Sequence, residues 1–211
     1  MTTPIIEVVD DLERKGAEAF LADHISGNLA TVFSVSLERS SGGPSSLVLR
    51  TADDSGIAAV VHIGPPFEDA SWFLKAGRED LAELLIADTR MVNSIAVRPE
   101  LRRNGVASAL LAEGERRVMD EGVQLIYGVA NGDAEIDAFY QRHGYEVGPP
   151  ATPMLIRLGD HRILMPLDGE QNRWFFKVVN QDLSARRPYA MVRTPTARQV
   201  ELYERESKLS D

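Results

Sequence analysis

Residues 97–111 read VRPELRRNGVASALL, and this stretch decides the fold. It opens on the last residue of a strand, passes through an arginine-rich turn and enters an apolar-periodic helix at Gly105. Within it lies Arg102-Arg103-Asn104-Gly105-Val106-Ala107, of the form R-x-x-G-x-A. A turn of this kind aims successive backbone N–H groups at one point, at the positive end of a helix. Such a point binds anions, and a diphosphate suits it.

Working outward, Met91 to Val97 alternates as a strand. Val92, Ser94 and Ala96 fall on one side, and Asn93, Ile95 and Val97 on the other. The motif helix runs from Gly105 to about Glu121, with Val106, Leu110, Leu111 and Met119 inward, and Gly122 ends it. Val123 to Ala130 is a second strand. Asp133 then caps a helix to His143, closed by Gly144. The block 91–131 is thus a βαβ unit, with parallel strands and a right-handed crossover expected.

The rest reads less sharply. Asp10 or Asp11 can cap a helix running to about His24, with Leu12, Phe20 and Leu21 as its apolar stripe. Residues 28–39 satisfy both a helical and an alternating pattern, and Ser26 or Asn28 as a cap favours the helix. SSLVLRT, the turn Ala-Asp-Asp-Ser-Gly and IAAVVHI form a hairpin closed at Gly64-Pro65-Pro66. Residues 78–88 are a short helix with Leu81, Leu84 and Leu85 on one face. Residues 149–162, with Pro149, Pro150 and Pro153, read as irregular. A second hairpin is expected from ILMPL, a DGEQN turn and RWFFKVV. Residues 196–208 could form a terminal helix anchored by Val200 and Tyr203.

The chain has 211 residues, 44% hydrophobic and 26% charged, which suits one globular domain over 1–180 with a polar extension over 181–211. It has no cysteine, and its four histidines (His24, His62, His143 and His161) show no metal-ligand spacing. No thiolate chemistry and no metal are expected. The net charge of −9 excludes a global nucleic-acid footprint. No apolar run approaches the roughly 20 residues of a membrane helix, and Met1 to Gly16 lacks the features of a secretory signal. The protein is therefore expected in the cytoplasm, with no nucleic-acid or membrane partner. Arg98, Arg102 and Arg103, opposed only by Glu100, make a local positive patch, which suits either a specific anionic ligand or a solvated turn. Trp174, Phe175 and Phe176 cannot all face one core, so one of them would pack on a homodimer partner or on the tail.

Met91 to Tyr145 resembles the GCN5-related N-acetyltransferase (GNAT) superfamily. The resemblance rests on Val97-Arg98-Pro99 followed by Arg102 to Ala107, then on Asn131 ending a strand. Ala138-Phe139-Tyr140-Gln141-Arg142-His143-Gly144-Tyr145 follows in the expected order. It implies an α/β fold with a mixed sheet, the acyl-CoA N-acyltransferase fold with a C-terminal hairpin and tail, splayed between the 91–97 and 123–131 strands. It implies acetyl-CoA as co-substrate and direct transfer, in a ternary complex, to a primary amine on a small molecule or peptide. The pantetheine arm would pair with backbone at Ile95, Ala96 and Val97, with Val97 N–H as oxyanion donor. The pyrophosphate would lie on Arg102, Arg103, Asn104, Gly105, Val106, Ala107 and Ser108, where a Cβ at Gly105 would intrude. Asn131 would bond the pantetheine, and Tyr140 would protonate the leaving sulfur as the catalytic acid. Tyr127 and Tyr145 read as structural.

The base is where the chain departs from many relatives, because MVNSIAV holds no carboxylate. Candidates are His62, Glu68 and Asp69, a water held by Asn93 or Ser94, or an amine of low pKa. The same gap leaves room for a non-enzymatic acyl-CoA-binding regulatory module on this fold. A P-loop and a dinucleotide-binding Rossmann site are excluded, because neither glycine pattern is present. The acceptor is set by segments without a readable motif, roughly 24–28, 64–77 and 149–185.

Overall fold

The computed structural model describes residues 5–8, 11–25, 46–179 and 190–201. The chain divides into two units, one of Met1–Pro65 with Arg90–Glu121, the other of Pro66–Thr89 with Gly122–Asp211. The helix expected over 28–39 lies outside the described residues.

The first unit is built on strands β1 (Ile6–Glu7), β2 (Leu47–Asp53), β3 (Gly56–Gly64) and β4 (Thr89–Val97), in that order and antiparallel to their neighbours. The β2–β3 hairpin is tighter than its sequence suggested, turning through Asp54 and Ser55 alone. Helix α1 (Asp11–His24) buries Ala17, Phe20 and Leu21 against Val48, Val60 and Ala96. Leu12, expected in that stripe, is exposed. It sits in the first turn, one residue from the helix start, off the face that Ala17 and Leu21 share at i,i+4 spacing.

Helix α4 (Val106–Asp120) covers the other face of the same strands, burying Leu110, Leu111, Gly114 and Val118. Met119, read as inward, is exposed, because Val118 completes the i,i+4 row from Gly114. Gly114 is the point of closest approach, where an added Cβ would lie 2.6 Å from Cδ1 of the fully buried Ile63. Gly114→Val is therefore expected to cost about 1–3 kcal/mol by overpacking, read as a lower urea midpoint with unchanged slope. An unchanged midpoint would show that the helix rides further from β3.

The second unit opens with α2 (Phe67–Lys75) and α3 (Glu79–Asp88). The first of these lies in the segment 64–77, to which the sequence reading assigned no element. Strand β5 (Leu125–Ala130) pairs with β9 (Arg173–Val178), which also takes β6 (Glu146–Val147). Helix α5 (Ala134–Arg142) lies between β5 and β6 in sequence. Asp133 caps it as expected, its carboxylate accepting from the N–H groups of Glu135 and Ile136.

A separate sheet runs β10 (Ala190–Arg193), β7 (Met154–Leu158), β8 (His161–Met165). This overturns two expectations. The stretch 149–162 is irregular only up to Pro153, after which MLIRL is a buried strand. The second hairpin is β7–β8, turning at Gly159-Asp160; β8 and β9 do not pair, because β9 joins β5 instead. On β9, Trp174 and Phe175 are both buried, on opposite faces, and Phe176 is half-buried. Of the terminal helix, residues 197–201 are described and helical. Thr196 and Gln199 form its start, the Gln199 side-chain oxygen accepting from Thr196 N–H at 2.9 Å.

Candidate active site

The turn before α4 has the expected character. A short 3₁₀ turn, Pro99–Leu101, carries the chain off β4. Arg103 then takes a left-handed φ of 63° and Gly105 a φ of 79°. Gly105 is the N-cap and no side chain caps the helix there. The first intrahelical bond comes from Ala109 N–H to the Gly105 carbonyl, so the N–H groups of Val106, Ala107 and Ser108 lead out of the helix end. Residues 102–105 are exposed. A Cβ at Gly105 would meet nothing in the protein within 4 Å, and its positive φ is a second reason for glycine there.

The arginines are less available than their spacing suggests. Arg98 is ion-paired to Asp53 and Glu100, and Arg102 Nε donates to the Val97 carbonyl at 3.1 Å. The positive character of this turn rests on backbone N–H groups more than on guanidinium groups. Along β4, Arg98 N–H bonds the Ala58 carbonyl of β3. By the alternation of an antiparallel ladder, the N–H groups of Ile95 and Val97 point away from β3 while Ala96 points towards it.

In the second unit Tyr140 lies on α5 with its ring stacked on Phe175 at 3.6 Å and edge-on to Phe139 and Tyr145. Burial pushes its hydroxyl pKa well above that of a free phenol, so it stays a donor throughout the working pH range. Asn131 is exposed beyond the end of β5, and its side-chain oxygen accepts from Asp133 N–H at 3.2 Å, a turn role.

The base candidates separate cleanly. His62 is fully buried, and desolvation lowers its pKa to about 3, so it is neutral and a poor proton acceptor. Glu68 is exposed. Asp69 is partly buried on α2, and its pKa is raised to about 6. Desolvation is the main cause, the Tyr127 hydroxyl bond opposes it and the Glu68 charge adds to it. Tyr127 Oη–H donates to Asp69 Oδ2 at 2.7 Å. Tyr127 is thus more than packing, and nothing in the sequence signalled it, because the two residues lie 58 apart.

Asp69 lines a cavity of about 230 Å³ between α2, the end of β5 and the 166–172 loop, with Trp72, Phe73, Val129 and Trp174 on its wall. Trp174 shares a face of β5–β9 with Tyr127 and Val129, whereas Phe175 and Tyr140 belong to the other face. Among the described residues no group of three or more His, Cys, Asp or Glu is placed to hold a metal, and no helix is long and apolar enough to cross a membrane.

The raised Asp69 pKa has a stability consequence. Between pH 4 and 6 the folded state holds a proton that the unfolded state has released, so this group's contribution falls as pH rises through that window. Urea melts of wild type and Asp69→Asn should show their stability difference shifting against the wild type across this window. The shift is on the order of 2–3 kcal/mol. A difference flat in pH would mean the carboxyl titrates as in the unfolded chain.

A strand ending in an uncapped, positive-φ helix entry, followed by strand, helix and a buried tyrosine, is the layout of the GNAT acetyltransferase fold. Residues 50–147 match the family model described as an acetyltransferase (GNAT) domain. Among solved structures it is similar to the ribosomal-protein-S18-alanine N-acetyltransferase from Escherichia coli. That likeness has TM-score 0.54 and 14% identity, and covers 90% of this chain and 96% of that one. It is similar to Ard1 from Thermoplasma volcanium, with TM-score 0.55 and 11% identity over 86% and 100% of the two chains. An aminoglycoside 6'-N-acetyltransferase complexed with coenzyme A also matches, with TM-score 0.52 and 11% identity over 84% and 97%. At these identities the likeness is one of fold. No curated protein matches in sequence.

Proposed function

We propose that the protein is an N-acetyltransferase that moves the acetyl group of acetyl-CoA directly to a primary amine of a small molecule or peptide, with both substrates bound at once. The observation that carries this reading is the turn at 102–108. Its outward N–H groups, the absence of a side-chain cap and the open space at Gly105 suit a diphosphate. The GNAT domain match over 50–147 supports the same conclusion.

Acetyl-CoA, when bound, supplies the acetyl group as a thioester. Val106, Ala107 and Ser108, with Gly105 and Asn104, hold the diphosphate through their N–H groups, and Arg102 and Arg103 add positive charge. The edge of β4 away from β3 offers Ile95 and Val97 N–H to the pantetheine arm and the thioester oxygen. Asn131 is a second partner for the arm. Asp69 takes a proton from the ammonium form of the acceptor, so that the amine attacks as a neutral nucleophile. Tyr140 gives its hydroxyl proton to the departing sulfur. Because Asp69 and Tyr140 lie on opposite faces of β5–β9, the two proton tasks fall to separate groups.

The lack of a carboxylate on β4 favours a second reading, an acyl-CoA-binding module without turnover. One experiment separates them. Acetyl-CoA is titrated calorimetrically into the protein, and a panel of primary amines is incubated with both and read by mass spectrometry. One-to-one binding with an acetylated amine is the expected result. Binding with no product across the panel supports the module, and a folded protein that does not bind acetyl-CoA overturns both.

A further inference from the structure

The turn that leaves β4 is held from a distant part of the chain. Asp53 ends β2 at the β2–β3 hairpin, and its two carboxylate oxygens have different partners. Oδ1 accepts from Ser55 N–H at 2.8 Å, within the hairpin turn. Oδ2 accepts from Arg98, the residue that precedes the 3₁₀ turn Pro99–Leu101. The backbone of Arg98 is fixed as well, its N–H donating to the Ala58 carbonyl of β3 at 3.0 Å. Asp53 and Arg98 are 45 residues apart, and both belong to the first unit.

The Arg98 side chain is poorly placed to serve an anion. It is 14% exposed and lies between two carboxylates, with Glu100 3.3 Å from its Nε. One cation between two carboxylates leaves no net attraction for a phosphate. What it serves is geometry. Arg103, a residue with a Cβ, takes a left-handed φ of 63°. Such a conformation persists only where its surroundings fix it. Residues 102–105 are exposed, so part of that constraint comes from the entry to the turn. There Leu101 N–H donates to the Arg98 carbonyl at 2.9 Å, and Arg102 N–H to the Pro99 carbonyl at 3.3 Å.

We propose that Asp53 is a positioning residue for acyl-CoA binding, whose carboxylate, acting through Arg98, sets how the chain leaves β4 and so where the N–H groups of Val106, Ala107 and Ser108 point. It works through Arg98 and not by contact with the ligand. The part played in binding rests on the acyl-CoA reading above, but the hold on the turn does not. Asp53→Asn isolates this contact. Its remaining side-chain oxygen still accepts from Ser55 N–H, while the amide nitrogen turned towards Arg98 is a donor and cannot take the place of Oδ2.

The test titrates acetyl-CoA calorimetrically into wild type, Asp53→Asn, Arg98→Gln and the double variant. Backbone amide exchange is followed in the same proteins without ligand. Asp53→Asn should weaken acetyl-CoA about three- to tenfold, between the effects of an exposed ion pair and of a buried charge-assisted hydrogen bond. It should also speed exchange of the Leu101 and Arg102 N–H groups by a similar factor, while Val60 and Val61 inside β3 keep their wild-type rates. Arg98→Gln should do the same. The double variant should bind no more weakly than either single, because one contact has been removed twice. Asp54→Asn, in the same hairpin turn, should match wild type in both measurements.

The proposal is overturned if Asp53→Asn tightens acetyl-CoA binding, which would make Arg98 a phosphate ligand released from its carboxylate. It is overturned equally if affinity stays at the wild-type value, or if the two single losses multiply in the double variant. Exchange that quickens evenly through β2 and β3 also overturns it, since that reports a weakened fold and not a loosened turn. Arg98→Gln answers the same questions if Asp53→Asn fails to fold. A wild type that does not bind acetyl-CoA sinks the acyl-CoA reading, and exchange at Leu101 and Arg102 still decides whether Asp53 holds the turn. Wild-type binding with unchanged affinity and exchange in Asp53→Asn sinks the positioning role alone.

Discussion

Gly105→Glu should abolish detectable acetyl-CoA binding while the protein stays folded. The substitution places a side chain at φ 79°, which costs about 1–2 kcal/mol for a residue with a Cβ. The new carboxylate lies at the N-terminal end of α4, where a negative charge recovers about 0.3–1 kcal/mol from the helix dipole. No protein atom obstructs it. The fold therefore loses little, but the end of the helix now holds its own anion. A diphosphate arriving there meets like charge and finds its donors engaged. Loss of one or two charge-assisted hydrogen bonds, each worth about 1.5–3 kcal/mol, corresponds to at least about a hundredfold in affinity. Gly105→Asn is the control, since asparagine tolerates a left-handed φ and carries no charge. Calorimetric titration of both variants, with a thermal melt of each, checks the argument. A glutamate variant that binds as tightly as wild type would move the diphosphate off this turn.

Tyr140→Phe should lower kcat by about 10²–10³, the usual contribution of a positioned acid, with little change in KM. The ring stays, so the stack on Phe175 and the edge contacts to Phe139 and Tyr145 persist and the fold is retained. Only the hydroxyl is lost. Its burial raises its pKa, so the wild-type rate should show no alkaline fall attributable to this group in the ordinary assay range. Steady-state rates on an acceptor from the amine panel decide the matter. An unchanged kcat would leave Tyr140 as a packing residue and give the proton to water.

What could be read in the sequence was what is encoded locally. The R-x-x-G-x-A turn, the Asp133 cap and the glycines beyond α4 and α5 act through neighbouring backbone, so their meaning survives without tertiary context. Helix α2 carries a helical signal that the preceding Gly64-Pro65-Pro66 masks, since that punctuation reads as the start of a loop. Phe67, Ala70 and Leu74 recur at i, i+3 and i+7, although only Ala70 of them is buried. The pairing of β9 with β5, from Ala130 with Arg173 to Leu125 with Val178, could not be seen either. Two apolar strands either side of a polar DGEQN turn read as a hairpin, and only the tertiary fold sends each to a different sheet. On the site, the anion turn and Tyr140 were visible as motifs. The role of Tyr127 in holding Asp69 depends on a contact between distant segments.

Consecutive residues Trp174 and Phe175 serve opposite sides of one strand, and this makes β9 unforgiving of slippage. A shift of one residue against β5 would send the phenylalanine into the cavity and the indole against Tyr140, inverting both environments together. Alternative alignments of this strand are thus penalised twice, once on each side. A single-residue insertion within β9 should scramble the whole unit, whereas one in the 168–172 turn would be absorbed.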